Sequence, residues 1–286
     1  MGTRREFRVA LLSAIRSALS ISVSTSAIAA SVGLALCSAQ VFAACATGQQ
    51  PIYLTFDTGS QSQAEAIRDT LKKHGVKATF FMANEKTVDG DYSLDRSSAN
   101  YWKSLVAEGH AFGTHTFDHV YFKGDAGSAQ VTVRPQFGIN AGKTMTWDAA
   151  AYCAELNRVK TRFKELTGAD LDPFWRAPGG KTSARLIAFG KACGYRHFDW
   201  ADAGFLGDEL PSDRYPNEAL LKRALTKLRP GDIAMAHLGI WSRKEPFAPM
   251  LDPLIAGLKA KGYCFATLRD YREPAIASIA RLGAQP

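Results

Sequence analysis

Short apolar or β-branched runs recur along the chain at residues 52–56, 78–82, 110–113, 173–175, 196–200, 233–236 and 264–268. Runs of this length between turn-forming positions predict strands. Between most of them the apolar residues change period. Ala64, Ile67 and Leu71 form one helical face that stops before Gly75, and Tyr101, Leu105 and Val106 form another before Gly109. Leu156, Val159, Phe163 and Leu166 repeat the pattern and end at Gly168. A glycine just past the last periodic residue is a helix stop. Later helices are predicted over roughly 184–192, 218–228 and 251–261. Strand and helix alternating along one chain argue for a parallel α/β fold, as a closed or nearly closed barrel; a doubly wound open sheet is the competing arrangement.

Two polar stretches, 84–100 and 120–147, exceed what a lean barrel needs, and the second is punctuated by Gly124, Gly127, Pro135, Gly138 and Gly142. Long insertions after strands either line the binding cleft or decorate the surface. The N-terminus has its own pattern: Arg4, Arg5, Arg8 and Arg16, an apolar run over 18–36, then Val41-Phe42-Ala43. That order predicts a signal peptide over 1–43 and a single catalytic domain over 44–286, hence a secreted or periplasmic protein. Ser20, Ser22, Ser24, Thr25 and Ser26 interrupt the apolar run, which argues against a membrane span.

Cleavage there would remove Cys37 and leave Cys45, Cys153, Cys193 and Cys264. An even number of cysteines in an exported chain suggests disulfides, with three pairings open. No CxxC pair occurs, which speaks against a thiolate zinc cluster. The same cleavage takes the basic residues from 35 to 35 − 4 = 31 and the acidic ones from 27 to 27 − 1 = 26, a net charge of +5. Mild positive charge suits an anionic envelope. The charges are scattered and not interleaved with aromatics, which excludes a nucleic-acid partner.

Candidate chemistry gathers at the predicted C-terminal strand ends, where barrels carry their active sites. Asp57 ends the first strand in Thr55-Phe56-Asp57-Thr58-Gly59. His115 and His119, two of only six histidines, follow the third strand at i, i+4 spacing. On a helical turn that spacing turns both imidazoles to one side, able to hold one transition metal. Arg176 ends an aromatic strand before the tight turn Ala177-Pro178-Gly179-Gly180, whose backbone N–H groups can face a ligand, and His237 ends the sixth strand.

Together, Thr55-Phe56-Asp57-Thr58-Gly59, His115-Thr116-Phe117-Asp118-His119, Arg176-Ala177-Pro178-Gly179-Gly180 and Met235-Ala236-His237 resemble, in order, four of the five motifs of the polysaccharide deacetylases of carbohydrate esterase family four. The similarity covers nearly all of 52–268 and includes Lys77-Ala78-Thr79-Phe80-Phe81 and Glu108-Gly109-His110. It implies a distorted (β/α)7-8 barrel that removes N-acetyl groups from amino sugars of an envelope polysaccharide such as peptidoglycan, chitin or a poly-amino-sugar. It also implies a divalent metal, zinc first, with cobalt, nickel or manganese as alternatives. Carried over by position, His115 and His119 would bind the metal, Asp57 would be the general base, His237 the general acid and Arg176 the partner that orients Asp57. The N–H groups of the Gly179-Gly180 turn would face the oxyanion. A blurred fourth motif over 198–204 suggests Trp200 as a wall of the acetyl pocket and Asp202 as support for the catalytic His or Arg.

One position departs from the family pattern. The first motif usually carries two consecutive Asp, the second a metal ligand, and here that position is Thr58. A neutral hydroxyl is a poorer ligand than a carboxylate. The alternatives are a deformylase or O-acetyl esterase of the same fold, or a carbohydrate-binding protein that lost catalysis.

Overall fold

The computed structural model describes Cys45, Gln49 and residues 51–272, so the segment read as a signal peptide lies outside the described residues. Elements run in the order β1 (Ile52–Asp57), α1 (Ala64–His74), β2 (Thr79–Met82), α2 (Ala99–Ala107), β3 (Ala111–Thr114), β4 (Val120–Ala126), β5 (Gln130–Pro135), β6 (Met145–Trp147), α3 (Ala149–Thr167), β7 (Phe174–Trp175), α4 (Ala184–Ala192), β8 (Arg196–His197), α5 (Asn217–Lys227), β9 (Ile233–His237), α6 (Leu251–Ala260) and β10 (Phe265–Ala266). The parallel sheet has seven strands in the order β10-β1-β2-β3-β7-β8, with β9 also paired to β1. It curls into a distorted half-barrel clad by helices, as the alternation predicts. Where β8 and β9 do not pair, the segment after β8 closes the gap: Ala201 N–H donates to Ile233 O and Leu206 N–H to Met235 O, both at 3.1 Å. Gly204 lies in that segment because a Cβ there would stand 1.9 Å from the Ile233 carbonyl oxygen.

The strands read as unbroken apolar runs because both faces are covered. Ile52, Leu54 and Phe56 face outward into the main core with Ile67 and Leu71 of α1, while Tyr53 points inward with Phe81, Phe174, Phe198, Ile233 and Leu268. Period-two alternation then puts Thr55 and Asp57 on the inner face as well. The helix stops behave as expected: Gly75 (φ 61°) and Gly168 (φ 78°) adopt the left-handed cap, and Asp148 accepts the Ala151 N–H at the start of α3. Among the described residues no helix is long and apolar enough to cross a membrane.

The second insertion is more ordered than its polarity suggests. Residues 120–147 build an antiparallel sheet, β4-β5-β6, whose Val120, Phe122, Val131 and Val133 are buried in the main core. Of the three possible cysteine pairings the structure contains Cys45–Cys264 and Cys153–Cys193, with Cα separations of 5.6 and 5.5 Å.

Candidate active site

Strand register sets the site. On β1, Asp57 stands opposite Phe81 of β2 and His237 of β9; Met82 of β2 pairs with Thr114 of β3, and Thr114 with Trp175 of β7. One step beyond these pairs lie Thr58, His115 and Arg176, so the three share one rim. An open cleft there is lined by Asp57, Glu85, His115, His119, Tyr121, Gln136, Gly179, Trp200, Glu209, His237 and Trp241, among others.

Arg176 is buried beneath this cleft. Its Nη1 donates to Asp57 Oδ1 and Thr55 Oγ1, each at 2.9 Å, and its Nε donates to Phe198 O at 3.2 Å. The guanidinium carbon sits 4.2 Å from the centre of the Phe81 ring and 5.5 Å from that of Trp200. Burial by itself pushes the Asp57 carboxyl up, but Arg176 first, then His115 and His237, more than offset it and hold the group below its ordinary range. Asp57 is therefore a carboxylate.

His237 is poised in the opposite sense. Burial disfavours its imidazolium, yet the adjacent Asp208 carboxylate, with smaller contributions from Asp57 and Glu209, lifts its pKa to about 10. Asp208 accepts the His237 backbone N–H at 2.6 Å and lies 3.1–3.2 Å from Nδ1. This corrects the sequence reading, which gave the supporting role to Asp202. Asp202 is exposed at the start of a short 3-10 turn, and the barrel-closing segment carries Asp208 onto the ring instead. The only hint in the sequence is an acid beyond Gly207, and nothing local ties it to His237.

The two imidazoles come together, though not on a helix. Residues 115–119 form a turn in which Thr116 (φ 61°) and His119 (φ 48°) both take left-handed backbone, most unusual for the β-branched Thr116. Val120 N–H donates to Thr116 Oγ1 at 2.7 Å and pins the turn, and the His115 and His119 ring centres end 4.9 Å apart. His115 Nδ1 meets Arg176 O at 3.0 Å, while Nε2 lies 3.5 Å from Asp57 Oδ2. Burial lowers the His115 pKa to about 4, so its ring is neutral near pH 7. His119 keeps Nδ1 buried with no hydrogen-bond partner. Asp118 turns away and pairs with Arg158 at 2.7 Å.

Thr58 does not offer its hydroxyl to the cleft. It donates to Glu85 Oε1 at 2.6 Å and accepts from Ala83 N–H at 3.2 Å. Glu85 Oε1 also accepts the Gly59 N–H at 2.9 Å. Gly59 adopts φ 58°, and a Cβ there would stand 2.2 Å from Gly239 O. Glu85, which sequence reasoning missed, begins the first insertion. Ser93 holds it through one side-chain and one backbone bond: Glu85 N–H donates to Ser93 Oγ at 3.0 Å and Ser93 N–H to Glu85 O at 2.8 Å. Among the described residues no three His, Cys, Asp or Glu side chains already meet at a single coordination point.

The turn after β7 splits the two glycines. Gly179 lines the cleft against Tyr121, whereas Gly180 donates its N–H to Ala177 O at 2.9 Å, so that donor is spent inside the turn and is a correction to its expected role. Trp200 lies over Gly180 and lines the cleft.

Comparison with known proteins supplies the wider context. The sequence model described as polysaccharide deacetylase matches residues 45–198. An uncharacterized 30.6 kDa protein of Geobacillus stearothermophilus is 31% identical over 225 residues, covering 78% of this chain and 71% of the relative. The peptidoglycan-N-acetylmuramic acid deacetylase PdaA of Bacillus subtilis is 27% identical over 228 residues, covering 78% and 72%. In fold, the chain is similar to a family 4 acetyl xylan esterase from Clostridium thermocellum in complex with a cobalt ion, with a TM-score of 0.58, 22% identity and coverage of 77% and 89%.

Proposed function

The chain belongs to the polysaccharide deacetylase family, and on that premise we propose that it is a hydrolase that removes N-acetyl groups from amino sugars of a cell-wall or envelope polysaccharide. The observation that carries this reading is the Asp57–His237 pair. The two residues face each other across β1 and β9, one held as a carboxylate and the other as an imidazolium, beside two further imidazoles.

In the proposed reaction a water oxygen adds to the acetamide carbonyl carbon and Asp57 accepts its proton. The carbonyl C–N bond then breaks as His237 gives a proton to the departing nitrogen, leaving acetate and a free amine. Expelling an unprotonated amide anion is prohibitive, so an acid that stays charged at neutral pH fits the task. Arg176 keeps Asp57 ionised and fixes which oxygen faces the cleft. Gly179 directs backbone toward the reacting carbonyl, and Trp200, Tyr121 and the exposed Trp241 provide flat apolar surface for sugar rings.

The donor set fits a divalent metal of the zinc or cobalt kind. A neutral His115 has Nε2 directed at Asp57, and His119 has a ring nitrogen buried without a partner. When bound, such an ion polarises a carbonyl and acidifies water. His115 and His119 would hold it. The cobalt complex of the Clostridium thermocellum esterase supports a metal of this type, and the two disulfides support an exported location.

The test is acetate release from a panel of glycans: peptidoglycan, chitin oligomers and acetylated xylan. De-N-acetylation by the wild type, lowered about 10²–10⁴-fold in Asp57→Asn and His237→Ala, is expected. Acetate from xylan alone would shift the assignment to an O-acetyl esterase, and no acetate from any glycan would overturn it.

A further inference from the structure

Glu85 is a buried carboxylate without a cation. It is 8% exposed, and its hydrogen bonds come from a hydroxyl and a backbone amide, those of Thr58 and Gly59. Among the described residues no Lys or Arg pairs with it, and His115 and His119 line the same cleft. A buried charge is ordinarily matched by an opposite charge or by a metal ion. Both bonds fall on Oε1, and none of the described residues hydrogen-bonds Oε2. The side chain lines the same cleft wall as His115 and His119, and His119, also 8% exposed, carries the unpartnered Nδ1.

We propose that Glu85 is the third protein ligand of a divalent cation held by His115 and His119, standing in for the carboxylate that Thr58 lacks. The assignment rests on the metal-dependent reading above. Its logic is charge conservation at a fixed place. Without Glu85 the rim would carry one carboxylate, at 57, where the family pattern has two, at 57 and 58; Glu85 supplies the second. Glu85 reaches the spot from the neighbouring strand, since Phe81 is the register partner of Asp57 and the chain runs on through Ala83, whose N–H also binds Thr58. Thr58 becomes a spacer that orients Glu85, and the first insertion becomes its scaffold through Ser93. Among the described residues the side chains do not share one coordination point, so Glu85, His115 and His119 would have to shift toward one another to hold the ion.

The experiment is zinc binding by the purified chain after chelator stripping, measured by calorimetric titration with zinc alone. Wild type should take up one ion. Glu85→Gln keeps an oxygen able to accept the Thr58 and Gly59 bonds but removes the charge. Loss of outer-shell partners costs 10–100-fold in affinity, so loss of a direct ligand should weaken zinc by more than about 100-fold. The double variant Thr58→Asp/Glu85→Gln should recover most of the affinity by returning the carboxylate to position 58. Thermal unfolding in chelator, unchanged in Glu85→Gln, separates ligand loss from misfolding. Zinc affinity unchanged in Glu85→Gln but lost in His115→Ala/His119→Ala overturns this assignment alone. A wild-type chain that takes up no zinc overturns it together with metal dependence.

Discussion

Replacing Asp208 with Asn probes the acid half of the proposed reaction without touching His237. Asp208 leads the causes that lift the His237 pKa from 6.5 to about 10 against burial, which lowers it. Asn preserves an acceptor for the backbone N–H of His237, now held at 2.6 Å, and removes the charge. With Asp208 neutralised, burial is opposed by the weaker Asp57 and Glu209 contributions, and the pKa should fall well below 10, toward the ordinary histidine range. At pH 7 a ring with pKa about 10 is almost wholly protonated, whereas one at about 6.5 is protonated in roughly one molecule in four. A ring returned to the ordinary value of 6.5 should therefore cost about fourfold in kcat at pH 7, and roughly tenfold more for each further pH unit until the wild type itself deprotonates. Stability should follow with a definite sign. A raised pKa in the folded state contributes stability that is complete below pH 6.5 and is lost as pH rises through about 10. Roughly three and a half pH units at 1.36 kcal/mol each give about 5 kcal/mol. Initial rates of acetate release across the pH range, NMR titration of the His237 ring and denaturant unfolding at pH 6 and 10 read these effects. A basic limb still near pH 10 in Asp208→Asn, or a stability gap independent of pH, would refute the reasoning.

Other perturbations follow from the same geometry. Arg176→Met leaves the buried Asp57 carboxylate without its cation and should destabilise the fold by about 3–5 kcal/mol, seen in the denaturant midpoint; with burial unopposed by Arg176, the acidic limb of kcat/KM should also move to higher pH. Trp241, 61% exposed at the cleft mouth, should act in binding rather than chemistry. Trp241→Ala is expected to raise KM for glycan oligomers roughly tenfold, about 1.4 kcal/mol, with kcat little changed, and a fall in kcat at constant KM would contradict that role. Removing the Cys153–Cys193 bridge, which spans a separation of 40 residues, as Cys153→Ser/Cys193→Ser should cost about 4 kcal/mol by loop-closure entropy, read as a lower thermal midpoint; an unchanged midpoint would show that the bridge adds nothing.

The barrel strands were legible because burial on both faces writes them as continuous apolar runs, and the rim residues Asp57, His115, Arg176 and His237 because each ends such a run. The β4-β5-β6 sheet was less so. Its buried Val131 and Val133 alternate with the half-buried Thr132 and exposed Arg134, a strand signal diluted by the surrounding glycines. The i, i+4 histidines met for a reason other than the one their spacing suggested: left-handed backbone at Thr116 and His119 folds a turn, and periodicity carries no information about such a turn.

Glu85 and Asp208 were invisible for a different reason. Neither ends an apolar run, and each reaches the site through hydrogen bonds to residues distant in sequence, Glu85 from 27 positions beyond Thr58 and Asp208 from 29 before His237. A parallel barrel makes such substitution possible. Its strand ends lie side by side at one rim, so the space left by a shortened side chain on β1 is reachable from the loop after β2. A hydroxyl at position 58 can hold a carboxylate that arrives from that loop, whereas an Asp at 58 would repel it. On this reasoning Thr58 and Glu85 form one unit, and a missing acid in one motif is answered at the end of the adjacent strand.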